Sequence, residues 1–262
     1  MRYSPLTRSG PAPLIAVAHG SSDPRAAATV GTLVELVRQR GDRAGLDGLD
    51  VRAAYLGHAA PSVPQALAAV DGDEAVVLPL LLTAAYHSKA DIPGVLREAH
   101  TTRPRLAISY GRPLGPHSLL LRALDRRLAE IGGTGEIDPG QTAVVLAAAG
   151  SSDPAANTVI TDLAASWQAR RGWRSVRPAY ASAATPTPAD AVMAARRSGA
   201  RHVLVATYLL SPGVFADQIR RDCLAAGADG VSAVLGAAPE IADVVLGRYT
   251  ETLADGGIAA AG

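Results

Sequence analysis

The chain has 262 residues, 48% of them hydrophobic, with a net charge of +1. That length and apolar content suit two ordinary domains or one large one, and the near-zero charge gives no electrostatic reason to expect nucleic acid or an anionic membrane as a partner. The single cysteine, Cys223, rules out an intramolecular disulfide, no apolar run is long enough to span a bilayer, and the first ten residues lack the apolar core of a signal peptide; a reducing, cytoplasmic setting is expected.

Residues 1–12, rich in Pro, Ser and Gly, read as a flexible arm. Leu14 to Ala18 is apolar without alternation, the pattern of a strand buried on both faces of a parallel sheet. Gly20-Ser21-Ser22-Asp23-Pro24 then supplies a turn, a helix cap and a first-turn proline. A helix follows from Ala26 to Arg40, with Val30, Leu33, Val34 and Val37 on one face. Further strands are expected over 51–56, 75–82 and 105–110, with Pro79 interrupting pairing near the end of the third. Helices are expected over 64–70, from Asp91, and over 118–131, the last closing the first unit. Residues 132–141 read as a polar linker.

The second unit, 142–254, replays this order. Strands are expected at 143–148, 175–180, 202–209 and 231–235, and helices at 157–171, 189–198, 218–225 and 241–253. Residues 255–262 read as a disordered tail. Strands alternating with helices twice over predict an α/β fold of two tandem sandwich domains, each a central parallel sheet flanked by helices.

The repeat is imperfect in an informative way. ValAlaHisGlySerSerAspPro at 17–24 returns as AlaAlaGlySerSerAspPro at 148–154, with Ala149 where the first copy has His19. After the third strand of each unit, LeuLeuThrAlaAlaTyrHisSerLys corresponds to LeuLeuSerProGlyValPheAlaAsp, so Phe215 stands in the place of His87. Ligands of parallel α/β sheets bind at the carboxyl ends of strands. Two histidines on such loops suit a divalent transition metal, and the absence of a third evident donor suits an open, transient coordination sphere. Taken singly, each histidine reads equally well as a loop hydrogen-bonder. Their joint loss from the second copy fits a paired site better.

The HisGlySer end of the first strand, the proline turn after the second and the His-x-x-x-AspIlePro loop after the third resemble the sirohydrochlorin chelatases, the class II cobalto- and ferrochelatases, in their long two-domain form. The resemblance covers roughly residues 13–250. It implies an enzyme that inserts a divalent metal (Fe²⁺ for sirohaem, Co²⁺ for cobalamin, with Ni²⁺ a further option) into sirohydrochlorin or a related tetrapyrrole. It implies His19 and His87 as catalytic and metal-handling residues in a single N-terminal site, a degenerate C-terminal domain, and no organic cofactor. A monomer is expected, the tandem domains forming the interface. The family often carries an acidic residue after the second strand; here Gly57 holds that place, and His58 beside it is either a substitute or a surface-loop residue.

A carboxylate-rich substrate calls for cations and free N–H groups. Ser21, Ser22 and the following helix start form one candidate anion seat. Arg25 and Lys89, the chain's sole lysine, flank the two histidine motifs as partners for carboxylates or as plain surface charges. His100, His117 and His202 lack matching context and read as structural or solvated. No Gly-x-x-x-x-Gly-Lys-Ser/Thr tract occurs, so insertion should not need ATP. Two other readings stay open: a metal- or tetrapyrrole-carrying protein without turnover, and a module binding a phosphorylated small molecule through both GlySerSerAspPro turns.

Overall fold

Leu14–Ala18 and Thr142–Ala148 are buried at every residue, which makes each the middle strand of a parallel sheet covered on both faces. A computed structural model describes residues 10–83, 92–131, 137–255 and 258–259. Residues 1–9 of the arm, His87, Lys89 and Asp91, residues 132–136 of the linker and the rest of the tail lie outside the described residues.

In chain order the first unit runs β1 (Leu14–Ala18), α1 (Pro24–Arg43), β2 (Val51–Tyr55), α2 (Val63–Ala68), β3 (Glu74–Pro79), α3 (Ile92–Thr102), β4 (Ala107–Tyr110) and α4 (Ser118–Ala129). The second runs β5 (Thr142–Ala148), α5 (Pro154–Arg171), β6 (Ser175–Tyr180), α6 (Pro188–Arg197), β7 (His202–Tyr208), α7 (Val214–Ala225), β8 (Gly230–Val231) and α8 (Pro239–Ala254). The strand orders, β2-β1-β3-β4 and β6-β5-β7-β8, are identical, and all these pairings are parallel. Pro79 ends β3, opposite Val17, where its missing N–H costs the ladder least. One feature departs from the reading of 255–262 as disordered. Ile258–Ala259 forms a short strand, β9, antiparallel to β4, covering what would be an open sheet edge.

Alternation along the strands divides the interior. Ile15 and Val17 face outward onto α2 and α3, while Ala143, Val145 and Ala147 face outward onto α6 and α7. Leu14 and Ala16 turn the other way, as do Val144 and Leu146, into one continuous core shared by both units and built from α1, α4, α5 and α8.

Within that layer the last helix of each unit crosses over. α4 packs on β7 and α8, and α8 packs on α1, β3 and β4. The first unit was expected to be closed by its own last helix; instead each unit is closed by the last helix of the other. An apolar stripe states that a helix face is buried, and says nothing about which sheet buries it. Arg40 pairs with Asp243 at 2.6 Å and Arg126 with Glu240 at 3.3 Å across this exchange. Tyr249 donates its hydroxyl to the Ala12 carbonyl at 2.8 Å.

The turn after β1 owes its glycine to a close approach. Gly20 has φ +93°, and a Cβ there would lie 1.7 Å from the Gly57 carbonyl oxygen. Gly150 repeats the arrangement against Ser182 at 2.0 Å. In both units the loops after the first and second strands are pressed backbone to backbone. Asp23 and Asp153 then cap α1 and α5, each accepting at 2.9 Å from the N–H two residues on, with proline in the first turn.

His117 serves the fold. It is the N-cap of α4, its Nδ1 accepting from the Leu119 N–H at 3.1 Å, so the neutral imidazole is the one the helix needs. Burial first, then the Arg248 charge, holds its pKa below the usual histidine range, with Glu251 opposing. The unfolded chain therefore takes up this proton first, and the cap's contribution is present above about pH 6.5 and lost as pH falls through the folded pKa.

Three outcomes are expected. A chain ending before Pro239 should show no cooperative melt in either half, because the first sheet loses its cover. Gly20→Ala should cost roughly 3 kcal/mol in denaturant unfolding, against about 1 kcal/mol for Gly45→Ala at an equally left-handed but open position. Between pH 7 and pH 5 the melting temperature of the parent chain should fall further than that of His117→Asn, whose cap does not titrate.

Candidate functional site

The carboxyl ends of both sheets open into one cleft of about 560 Å³ between the two units. It is lined by the residues that follow β1 and β3 on one side and those that follow β5 and β7 on the other. Apolar side chains of α1 and α5, among them Val30 and Ile160, form part of its wall.

His19 is the first residue beyond β1; its side chain is exposed and lines the cleft. Its backbone is fixed on the sheet side, since the His19 carbonyl accepts from the Gly57 N–H at 3.1 Å, continuing the β1–β2 ladder one step past the strand. The imidazole is thus aimed by a rigid main chain. Among the described residues it is the only histidine lining the cleft. The cleft wall on this side includes Leu80 to Thr83, the start of the loop that leads to His87.

Ser21 also lines the cleft; its Oγ accepts from the Asp23 N–H at 3.1 Å and shapes the turn. Ser22 is exposed and lies outside the lining set. The start of α1 already holds a carboxylate, that of Asp23, kept below the usual carboxylate range chiefly by the Arg25 guanidinium. Arg25 is engaged on both sides, bonding Asp23 at 2.6 Å and Asp217 of α7 at 2.6 Å, so it ties the two units together at the cleft rim. His58 sits at φ +60° in the turn after β2, exposed and apart from the lining residues. Ala183, its counterpart in the repeat, has φ +58°, so the turn geometry belongs to the scaffold and does not require an imidazole.

Several lining residues carried no signal of function in the sequence. Tyr208, buried at the end of β7, donates its hydroxyl across the unit boundary to the Leu82 carbonyl at 3.2 Å. Burial pushes its phenol pKa strongly upward, so it is a neutral donor that pins the loop after β3. Asn157 closes the second copy of the turn on itself. Its side chain accepts from the Ser151 N–H at 3.1 Å and donates to the Ser151 carbonyl at 2.7 Å. Ala27 stands at the matching place of α1 and leaves the Ser21 turn without such a plug. The single signal for Asn157 was its departure from alanine within an otherwise similar helix start. Phe215 and Val214 open α7 on the opposite wall. Cys223, in contrast, is fully buried, and burial raises its thiol pKa to about 12, consistent with an inert core residue. Among the described residues no helix is long and apolar enough to cross a membrane.

Comparison with known proteins places these features in a lineage. The CbiX family model matches residues 13–131 and again residues 143–252, once for each unit. A sirohydrochlorin cobaltochelatase of Priestia megaterium is 29% identical over 76% of this chain, and a sirohydrochlorin ferrochelatase of the same organism 28% identical over 64% of it. The matched segments span 64% and 63% of those two relatives' own lengths. Among solved structures, SirB from Bacillus subtilis with Fe³⁺ superposes with a TM-score of 0.77 at 25% identity, covering 93% of this chain and 96% of that one. With both halves matched by one family model and the whole architecture shared with SirB, the chain belongs to the CbiX family.

Proposed function

We propose that this chain inserts a divalent metal, Fe²⁺ or Co²⁺, into sirohydrochlorin or a closely related tetrapyrrole without nucleotide hydrolysis. The observation that carries the reading is His19, the one histidine among the described residues that lines a largely apolar cleft whose two walls come from two repeats of one fold, its main chain tied to Gly57. Metallation needs two things that conflict in water. The metal must exchange its bound waters for ring nitrogens, and the ring must give up two pyrrole N–H protons. A neutral imidazole serves the first as a borderline ligand that holds the ion and then releases it. It serves the second as a base with a pKa close to neutrality. One nitrogen cannot do both at once, so His19 and His87 act in turn: one takes the first pyrrole proton while the other holds the metal, and the second imidazole, once it has released the metal to the ring, takes the second proton; both protons then pass to water.

The apolar walls supply the flat, dry surroundings that a macrocycle face requires. On this reading Ser21 faces the macrocycle edge, and Lys89 is a partner for a peripheral carboxylate. Arg25, bound to Asp23 and Asp217, acts on the cleft rim. The metal and the macrocycle are both substrates, and one chain completes the cleft by itself, in keeping with a monomer working in the cytoplasm.

Incubating the chain with sirohydrochlorin and Fe²⁺, Co²⁺ or Ni²⁺ and following the visible spectrum tests the reading. Turnover beyond one equivalent is expected with at least one metal, whereas a stoichiometric change alone points to a carrier. His19→Ala and His87→Ala should each lower the insertion rate by roughly a hundredfold or more, the usual scale for losing a group that handles the proton. His19 lies on an exposed strand end, so His19→Ala should still fold and melt cooperatively. A full rate in either variant would overturn the assignment.

A further inference from the structure

Phe215 is the only phenylalanine in the chain, and part of its ring is left open to the cleft. Its side chain is 41% exposed, and Val214 beside it is 77% exposed. The other large hydrophobics exposed among the described residues, Met193, Leu224 and Leu253, lie elsewhere; these two line the cleft. A ring that leaves two fifths of its surface open inside a cavity, paired with a still more exposed valine, forms an apolar patch rather than a scattered surface residue.

Its mounting is rigid. One helical turn on, Ile219 is buried in the outer core of the second sheet, and Cys223 behind it is fully buried. Asp217, in the same first turn of α7, is held by Arg25 from the opposite unit at 2.6 Å. A ring carried on a helix anchored in this way, on the wall opposite His19, offers an apolar surface to whatever occupies the cleft.

We infer that Phe215, with Val214 as its shoulder, is the platform on which the flat face of the tetrapyrrole rests, so that the second unit binds the ring while the first handles the metal. The inference rests on the chelatase reading given above. It assigns the second copy a positive role: where the first unit has His87 in sequence, the second has exchanged a polar loop residue for an aromatic one. Offset stacking of an aromatic ring on a conjugated macrocycle adds to simple area burial, and its loss should appear in substrate affinity rather than in the chemical step.

The test separates the two claims. Difference spectroscopy of the parent chain with sirohydrochlorin comes first; no binding and no turnover there would overturn the chelatase reading and the platform with it. With the parent active, Phe215→Ala should raise KM for sirohydrochlorin about tenfold and change kcat by no more than roughly twofold, the scale of one lost aromatic contact. Co²⁺ binding to the chain without macrocycle should be unaffected. Phe215→Tyr should restore the parent KM, and Phe215→Leu, which keeps apolar bulk without a flat face, should fall between. Met193→Ala, an equally exposed side chain away from the cleft, is the control and should change nothing. An unchanged KM in both Phe215→Ala and Phe215→Leu, with the parent turning over normally, would overturn the platform and leave the chelatase reading standing.

Discussion

The exchange of α4 and α8 between the two sheets is the contact on which everything else depends. Because each unit borrows the helix that covers the inner face of its sheet, neither has a complete core alone. The shared layer of α1, α4, α5 and α8 sets how the two sheets face each other, and therefore the width of the cleft at their carboxyl ends. Charge pairs such as Arg40–Asp243 and Arg126–Glu240 lie on this seam, but they are partly solvated and orient more than they stabilise. Burial of side chains such as Tyr249 and Leu124 in the common core is the larger contribution.

The cleft inherits its chemistry from an asymmetry laid over this symmetric frame. Both units keep the glycine at the strand end, the aspartate cap and the first-turn proline, because backbone packing requires them. What differs is what the turns present. The first unit offers an imidazole and an unplugged serine turn. The second satisfies its turn internally through Asn157 and offers an alanine at the matching strand end. A duplicated scaffold has become two unlike walls around one cleft.

Rim electrostatics follow the same logic. The Arg25–Asp217 pair is exposed on both sides, so it contributes little to stability. It joins the first turn of α1, which follows His19 in the chain, to the first turn of α7, which contains Phe215, and both residues line the cleft. Tyr208 does comparable work in the interior, holding the loop after β3 from the far unit by one hydrogen bond made in a dry setting.

Much of this was legible in the linear chain. Unalternating apolar runs marked strands buried on both faces, and the Gly-Ser-Ser-Asp-Pro turns marked helix starts, because these patterns report local burial and local backbone demands. The missing imidazole in the second copy singled out His19 because a repeat compares a residue with its own scaffold. Local patterns are silent about partners, however. That α8 serves the first sheet, that Arg25 is spent on Asp23 and Asp217, that His58 stands apart from the cleft, and that Phe215 faces into it all depend on how helices choose sheets across the shared core. Sequence determined the elements, their order and the candidate histidine; tertiary packing alone decided which surfaces meet, since an amphipathic face specifies burial without naming what buries it.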